Sequence, residues 1–413
     1  MQGAGARYGR GVRSIAIAAL ALAACGAPDR GPPCALGTIC TVAGTGEQGI
    51  GEDGLSAHRT DLYLPVDVAR GPDGRMFIVD FNNHRVLAVG EDGLAHVVVG
   101  TGFIGDGPPG PARESALLHP SSIAFDRDGR MLLAAWHNYR IKRVDLAAGT
   151  LEDLVGSGEP GYSGELGDAA GARLDLPSGL AVDAEGQVLL VDQGNQVIRR
   201  VAADGTIARF AGRCVVDECE TGQASDRCPD SDRTYCGEPA ACASPCMAAF
   251  DGDGGDALDA RFSFSSGATA TPSARIAFGP DGSLYVADTE SHRVRRIGAD
   301  GVVTTVAGTG EPGTGGDGGP ATAARLSSPS DVAVGPDGTL YVADTGSSCV
   351  RAIDVSGVIT TLAGRCGERG LAGDGGPPGD ALLDRPLGLE IAPDGHVLIA
   401  DTHNQRVRMV VPD

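Results

Sequence analysis

The chain reads SPSDVAVGPDGTLYVAD from Ser328 to Asp344, and versions of this phrase occur six times. The second apolar run of each copy ends at a corresponding residue: Asp80, Ala135, Asp192, Asp288, Asp344 and Asp401. Successive members lie 55 to 57 residues apart, except for one step of 96 residues. A missing copy would have lengthened that step by a whole period, so it contains one insertion. Self-similarity at a fixed period indicates a repeat architecture, and we predict six repeats with one insert.

Each copy contains four short runs of strand-forming residues separated by turn signals. In the third copy the runs are 179–182, 188–191, 197–201 and 206–210. The first turn usually contains Asp-Gly, the pair that supplies the positive φ of a tight hairpin. Four antiparallel strands repeated about a centre are typical of a propeller blade. The sequence therefore predicts an all-β fold, a six-bladed β-propeller of four-stranded antiparallel blades.

The two ends of the chain are predicted to complete one blade together. The last copy ends with its third strand, at 407–410, and lacks a fourth. Residues 39–44, ICTVAG, match residues 304–308 and 360–364, which belong to the fourth strands of other copies. Pairing of this N-terminal strand with the C-terminal blade would close the ring and remove the free sheet edges that promote aggregation.

Residues 1–24 are predicted to be a lipoprotein signal peptide. Three arginines precede an apolar run from Ile15 to Ala24, which has signal-peptide length and is too short to span a bilayer. The run leads into LAAC at 22–25, which resembles the lipobox of bacterial lipoproteins and implies lipidation of Cys25. An ordinary secretory signal followed by a chance cysteine is the alternative. Residues 25–36 form a tether, and residues 37–413 form the propeller.

The cysteines indicate an oxidising compartment. Ten remain after Cys25 is assigned to lipid, and an even number favours disulfide pairing. A zinc site in the cysteine-rich insert, residues 213–250, is disfavoured because the insert contains neither a CxxC pair nor a histidine. Six of the ten lie in this insert, and their pairing stays open. The disulfide candidates are Cys34, Cys40, Cys214, Cys219, Cys228, Cys236, Cys242, Cys246, Cys349 and Cys366.

The charge balance argues against nucleic acid as a partner. The chain has 54 acidic and 33 basic residues, a formal net charge of −21. Phosphate binding requires a concentrated basic surface, whereas this balance suits an exposed soluble surface or a cationic partner.

Two phrases identify a family resemblance. They are ADTESHRVR at 287–295 and ADTHNQRVR at 400–408. They resemble the repeats of the NHL family, and the resemblance extends over residues 37–413 apart from the insert. It implies a six-bladed propeller. Members of that family mostly serve as platforms that bind ligands or proteins, including sensor domains of bacterial transmembrane kinases. A minority are enzymes, such as the lyase that cleaves peptidyl-hydroxyglycine.

One face of the predicted ring carries the long connections. The loops that leave each fourth strand share this face with the turns between second and third strands, whereas the Asp-Gly turns lie on the other. Long loops on a rigid scaffold are where binding usually occurs. We call this the long-loop face and expect the partner there, with the insert as a wall or lid. The candidate ligand-binding residues are Trp136, His137, Asp253, Asp317 and Asp374.

Four of these candidates have structural alternatives. Trp136 follows Ala135 where other copies have Asp-Thr, and it is either a contact anchor or packing between blades. Asp253 lies in DGDGGD, which resembles a calcium loop, but Phe262 occupies the position where an EF-hand requires glutamate. Because Asp317 and Asp374 repeat the same loop, we favour a turn-forming role over calcium binding. No other cofactor is predicted.

The histidines do not predict a catalytic site. His84, His137, His292 and His403 fall on turns between second and third strands, and only His119 adjoins an innermost strand. A propeller metal site needs ligands that converge on the axis. We therefore expect a monomeric, non-catalytic lipoprotein of the cell envelope, periplasmic or surface-exposed. It would touch the membrane only through its lipid and would bind a protein or small ligand. A metal-dependent propeller enzyme of the lyase or lactonase type is the alternative, and a structural module of an envelope assembly is another.

Overall fold

Six antiparallel sheets form a closed ring in the computed structural model of the chain, which describes residues 34–214, 246, 248–267 and 270–412. The first strand of each sheet packs against the first strands of both neighbouring sheets, around a central axis. The fold is therefore all-β, a six-bladed propeller, as predicted. Within the described ranges, no helix combines the length and the apolar character needed to cross a membrane.

The strands of each blade are given from the axis outward. Blade 1 contains Pro65–Arg70, Met76–Asp80, Arg85–Val89 and Leu94–Val99. Blade 2 contains Pro120–Phe125, Met131–Ala135, Arg140–Asp145 and Thr150–Val155. Blade 3 contains Pro177–Val182, Val188–Asp192, Val197–Val201 and Thr206–Ala211. Blade 4 contains Ile276–Phe278, Leu284–Asp288, Arg293–Ile297 and Val303–Ala307. Blade 5 contains Asp331–Val334, Leu340–Asp344, Cys349–Ile353 and Ile359–Ala363. Blade 6 contains Gly388–Ile391, Val397–Asp401, Arg406–Val411 and Thr38–Ala43.

Three blades have a short fifth strand that the sequence did not predict. The loop that leads into each of these blades folds back and pairs with its outermost strand, which covers the exposed edge. The added strands in blades 1, 2 and 3 are Leu55–Ser56, Gly110–Pro111 and Gly167–Asp168.

Short 3-10 helices form the remaining regular structure. One joins the second and third strands of every blade, and these are Phe81–Asn83, Trp136–Asn138, Gln193–Asn195, Thr289–Ser291, Thr345–Ser347 and Thr402–Asn404. Others lie in the long loops, at Ala57–Arg59, Ala112–Glu114, Ala321–Ala323 and Pro378–Asp380.

The apolar core lies between neighbouring blades rather than at a single centre. Leu398 and Ala400 of blade 6, for example, share one buried cluster with Val68 and Ile78 of blade 1. Burial of each large aliphatic side chain stabilises the fold by about 1.5–3 kcal/mol. The stability of each blade therefore depends on its neighbours, and closure of the ring supplies the last interface.

The N-terminal strand closes the ring as predicted. It pairs antiparallel with the last strand of the chain, with Thr38 opposite Val411 and Thr41 opposite Arg408. The loop that leads into blade 6 secures it further, since the backbone N–H of Gly375 donates to the carbonyl of Ile39 at 2.8 Å. Both ends of the propeller thus lie in one sheet.

Three disulfides join described residues. Cys34–Cys40 lies beside the closing strand, and Cys349–Cys366 links the third strand of blade 5 to the loop after its fourth. Cys214–Cys246, with Cα atoms 5.0 Å apart, joins the two ends of the cysteine-rich insert. The predicted disulfide bonding is confirmed for these six cysteines. Cys219, Cys228, Cys236 and Cys242 lie outside the described residues.

Candidate functional site

The tips of the long loops are fixed to the turns between second and third strands. An asparagine side chain at the end of each of four turns donates to a glycine carbonyl in the loop tip of the same blade. The pairs are Asn83 to Gly49 at 2.7 Å, Asn138 to Gly105 at 2.9 Å, Asn195 to Gly161 at 2.9 Å and Asn404 to Gly370 at 2.7 Å. The long loops and these turns therefore lie together on the long-loop face. The repeated asparagine holds this face in shape.

A second set of contacts joins each blade to the next. The residue after each of these 3-10 turns has positive φ, and in several blades its side chain accepts a backbone N–H from the following blade. His84 accepts from His119 at 3.1 Å, His292 accepts from Ser328 at 3.0 Å and Gln405 accepts from Leu64 at 2.6 Å. His84 and His292 thus act as hydrogen-bond acceptors between blades.

The predicted loop aspartates bind arginine side chains of this chain. Arg295, Arg351 and Arg408 occupy one position of the third strand and are fully buried. Asp253 lies 2.7 Å from Arg295 and Asp374 lies 2.6 Å from Arg408, while Asp317 pairs with Arg351. Each carboxylate also accepts a threonine hydroxyl from the outermost strand. The sequence suggested that each aspartate binds its own turn, but the carboxylates instead join the loop to the blade.

The aspartates that end the second strands face the same arginines from the inner side. Asp288 lies 3.3 Å from Arg295 and is fully buried, as are Asp192, Asp344 and Asp401. Burial raises the pKa of Asp288 to about 6 and the pKa of Asp401 to about 7, against the partial compensation of nearby arginines and hydrogen bonds. Repetition in five blades marks these carboxyls as part of the scaffold.

Blade 2 departs from this scheme. Ala135 replaces the aspartate, and the buried cation is Lys142, which lies 2.7 Å from Asp153 and 3.3 Å from Asp106. The next residue, Trp136, replaces the threonine of blades 4 to 6 and is only 3% exposed. Among the described residues, its Nε1 has no hydrogen-bond partner. Trp136 packs 5.9 Å, between ring centroids, from Phe81 at the equivalent position of blade 1.

Three histidines meet beside these aromatic rings. The Nδ1 atoms of His119 and His137 lie 2.7 Å apart, so one donates to the other. The ring of His119 stacks on Phe81 at 4.6 Å and lies 4.7 Å from the ring of His84. The sequence placed His84 and His137 on separate turns and did not predict their convergence. The long loop into blade 2 brings His119 between them. We call Phe81, His84, His119, Trp136 and His137 the histidine–aromatic cluster.

The cluster disfavours protonation of its imidazoles. Burial is the main cause, with added repulsion from neighbouring imidazoles, and together they lower the pKa of His119 from 6.5 to about 4. The pKa values of His84 and His137 are also lowered, in both cases chiefly by burial. The imidazoles of the cluster are therefore neutral at pH 7.

Arg275 fills the axis of the ring. Its guanidinium lies 3.2 Å from Asp67 of blade 1 and 3.3 Å from Asp331 of blade 5. It also donates at 2.7 Å to the carbonyls of Val66 and Ser121. The sequence did not predict this group. Its signal was one equivalent position at or near the start of the innermost strands, a column that reads Asp67, Ser122, Gly179, Arg275, Asp331 and Gly388 and contains opposite charges.

The two glycines of that column make room for Arg275 and for the neighbouring backbone. A Cβ on Gly388 would lie 2.6 Å from Nη1 of Arg275, and a Cβ on Gly179 would lie 2.9 Å from its Cα. Such distances are too close for non-bonded heavy atoms. Glycine at these two positions thus allows the innermost strands and Arg275 to approach closely.

A polar cavity of about 210 Å³ lies beside Arg275, between the innermost strands. Its lining continues along these strands away from the long-loop face and includes Asp67, Ser122, Asp331 and Glu390. Burial, together with the nearby Asp67 carboxyl, raises the pKa of Glu390 to about 8. The axis therefore holds three carboxyl groups and one guanidinium.

The residues on the axis do not suit a divalent metal ion. The guanidinium of Arg275 stands between Asp67 and Asp331, where it pairs with both carboxylates and would repel a cation. Across the described part of the chain, no group of three histidine, cysteine, aspartate or glutamate residues has the geometry of a metal site. Asp253, Asp317 and Asp374 likewise have their carboxylates engaged by arginines.

The candidate residues from the sequence do not form one site. His137 and Trp136 lie together in the histidine–aromatic cluster, whereas Asp253, Asp317 and Asp374 lie in the loops of blades 4, 5 and 6. Their roles in ligand binding stay predictions. The lipidation site Cys25 and most of the insert lie outside the described residues.

Comparison with known proteins identifies the repeats. A family model described as NHL repeat matches residues 274–297 and 383–408, and one described as Teneurin NHL domain matches residues 302–372. Teneurin-m of Drosophila melanogaster is 28% identical over 383 residues, which cover 86% of this chain and 12% of that protein. Teneurin-1 of Mus musculus is 25% identical over 359 residues, which cover 72% of this chain and 12% of that protein. The chain spans about an eighth of the length of these relatives.

Solved structures share the fold at low sequence identity. A structural genomics protein of unknown function from Bacteroides thetaiotaomicron has a TM-score of 0.61 and 16% identity, with 90% of this chain and 74% of that chain covered. An auxiliary nutrient binding protein from Bacteroides ovatus has a TM-score of 0.59 and 14% identity, with 91% and 76% covered. The likeness concerns the propeller architecture.

Proposed function

Since the chain is an NHL-repeat propeller, we propose that it is a non-catalytic binding protein of the bacterial cell envelope that holds a protein or small ligand on its long-loop face. One observation carries this proposal: the neighbouring blades 1 and 2 depart from the repeat at that face, where the loop into blade 2 brings His119 to the turns of both blades. A residue that recurs in every blade serves the ring, whereas changes shared by two neighbouring blades are candidates for a local role in binding. Blades 1 and 2 carry such changes at Phe81, Trp136 and His119.

The occupied axis supports binding over metal-dependent catalysis. An enzyme of the lyase or lactonase type would need open metal ligands near the axis, and Arg275 engages Asp67 and Asp331 there. Metal analysis of the purified protein tests this alternative. Stoichiometric divalent metal that survives dialysis would favour the enzyme over the binding protein.

The disulfides and the predicted leader support an extracytoplasmic location. Disulfides persist in oxidising compartments, and three join described residues. A structural neighbour named as an auxiliary nutrient binding protein fits the same kind of role. Lipidation of Cys25, a monomeric state and attachment to the membrane through lipid alone belong to this proposal. Mass spectrometry of the mature N-terminus tests the lipid.

Site-specific photo-crosslinking in the native envelope tests the binding face. A photoreactive amino acid at Leu371, which is 44% exposed in the loop that leads into blade 6, should capture a partner. The same amino acid at Val355 should capture none, because this residue is 80% exposed on the opposite face, in the turn between the third and fourth strands of blade 5. Equal capture from both faces, or capture from Val355 alone, would overturn the proposal.

A further inference from the structure

The loop that leads into blade 2 exposes two adjacent large apolar residues, the first at a position where the corresponding loops have glutamate. Phe103 is 76% exposed and Ile104 is 67% exposed. At the position of Phe103, the corresponding loops of other blades have Glu47, Glu159, Glu311 and Glu368. At the position of Ile104 they have Gln48, Pro160, Pro312 and Arg369.

The backbone of this loop matches that of its counterparts. The N–H of Phe103 donates to the hydroxyl of Thr101 at 3.2 Å. The N–H groups of Glu47 and Glu311 make the same bond to the hydroxyl two residues earlier, at 3.1 and 3.3 Å. Since the conformation does not require an apolar side chain, exposure of Phe103 has no structural reason within the loop.

A third exposed residue lies beside this pair. Ile50, at the loop tip of blade 1, is 58% exposed, and its Cδ1 lies 2.9 Å from the position that a Cβ would occupy on Gly102. The loop tip of blade 2 is also joined to the turn that follows Trp136, through the bond from Asn138 to Gly105. We call Ile50, Phe103 and Ile104 the apolar patch. It lies over the same two blades as the histidine–aromatic cluster.

The loops of the apolar patch carry an excess of acidic residues. The two loops that carry it, residues 44–64 and 100–119, contain six acidic residues and two arginines. Arg113 pairs with Asp53, while Glu47, Glu52 and Glu114 are exposed. Protein-binding surfaces combine an apolar centre with polar or charged surroundings. The acidic balance of these two loops favours a cationic partner.

We infer that the apolar patch docks a peptide segment of a partner protein in which apolar side chains are flanked by arginine or lysine. Phe103 inserts between the apolar side chains of the segment, and Glu47, Glu52 and Glu114 pair with its cations. This inference rests on the proposed function and names the chemistry of the partner.

Selection from a library of short random peptides displayed on phage tests the inference. The bait is the full disulfide-bonded protein, and selected peptides should be enriched in both apolar and basic residues. A representative synthetic peptide should bind at least about tenfold more weakly to the Phe103→Glu/Ile104→Gln variant, and more weakly at high salt. The variant copies Glu47 and Gln48 of blade 1, so the loop can keep its conformation.

A relocated patch is the matched control. Adding Glu311→Phe/Pro312→Ile to the Phe103→Glu/Ile104→Gln variant restores the apolar pair in the loop of blade 5, away from Ile50, and should not restore binding. The inference would be overturned by any of three results. These are binding restored by the relocated patch, equal binding of the peptide to wild type and to the double variant, and enrichment of acidic peptides. A concentration-dependent dimer that the double variant abolishes would also overturn it, because the occupant would then be a second copy.

The result is separable from the proposed function. If photo-crosslinking at Leu371 captures a partner equally from wild type and from the Phe103→Glu/Ile104→Gln variant, the long-loop face binds without the apolar patch. In that case the inference fails and the proposed function stands. Loss of capture at Leu371 in that variant would support both.

Discussion

The guanidinium of Arg275 lies 3.2 Å from the carboxylate of Asp67, on the blade that faces it across the axis. Blades 1 and 4 are therefore joined directly, although no strand of one pairs with a strand of the other. Arg275 also reaches Asp331 of blade 5 and the carbonyl of Ser121 in blade 2. It donates as well to the carbonyl of Leu387, directly before the first strand of blade 6, so one side chain joins five of the six blades.

Replacement of Arg275 should destabilise the whole ring. Arg275→Met leaves Asp67 and Asp331 buried without a cation, which costs about 3–5 kcal/mol of unfolding free energy. Urea denaturation measures the loss. Arg325→Met is the control, because Arg325 pairs with Glu311 at an exposed site and should cost less than about 1 kcal/mol. Adding Asp67→Asn and Asp331→Asn to Arg275→Met should recover part of the loss. Equal costs for the two arginine variants would contradict the axial role.

Glu390 should make the protein less stable at alkaline pH. Its pKa rises from 4.5 to about 8 on folding, so the folded state binds the proton more tightly and stability falls as pH increases from 4.5 to 8. Glu390→Gln removes this dependence. Relative to wild type, the unfolding free energy of the variant should rise by about 3 kcal/mol between pH 5 and pH 9. Urea denaturation at both pH values measures this change. If the difference in unfolding free energy between the two proteins is the same at pH 5 and pH 9, Glu390 does not titrate in this range.

The histidine–aromatic cluster should weaken under acid. The pKa of His119 falls from 6.5 to about 4 on folding, so the unfolded state binds more protons between these values and stability decreases as pH falls through them. Protonation of His84 would also remove its acceptor for the N–H of His119. We expect the unfolding free energy to fall by about 1 kcal/mol between pH 7 and pH 5, a value that allows for solvent screening at these half-buried rings.

A variant built from residues of other blades isolates this effect. His84→Gln keeps an acceptor like Gln405, and His119→Leu copies Leu64, which has the same positive φ. The difference in unfolding free energy between wild type and this double variant should shrink on acidification. The buried aspartates titrate in both proteins and cancel. If the unfolding free energies of wild type and the double variant change in parallel with pH, the cluster does not titrate.

The N-terminal strand should be essential for a stable ring. A truncation that begins the chain at Gly44 removes the outermost strand of blade 6, including the buried Ile39 and Ala43. We expect a loss of at least about 3 kcal/mol and aggregation through the exposed edge of Arg406–Val411. Calorimetry and light scattering measure both effects. A truncation that begins at Cys34 should behave as wild type, and Cys34→Ala/Cys40→Ala separates the disulfide from the strand.

Repetition made the fold predictable. Each Asp-Gly turn was supported by four other copies and each apolar run by five, so the blade boundaries and the pairing of residues 39–44 with the last blade could be inferred from comparison within the chain. Gly74 and Gly338 have the positive φ that the turns required. The fifth strands at Leu55 and Gly110 were not predicted because a two-residue pairing at a blade edge leaves no periodic pattern.

The candidate site was less predictable because it depends on contacts between copies. His119 meets His84 and His137 only when the loop before blade 2 folds over blade 1, and no spacing within one repeat encodes that contact. Arg275 was detectable in principle. It is the one basic residue in a column with two aspartates, but blade 4 has an extra residue before this position, which obscures the alignment.

The ring closure also sets the side on which the N-terminal segment joins the propeller. Thr38 pairs with Val411, at the end of blade 6 where third strands finish, opposite the long loops. An anchor at Cys25, as the sequence predicts, would therefore connect to the face of the Asp-Gly turns, whereas Phe103 and its neighbours lie on the opposite face, free of that connection.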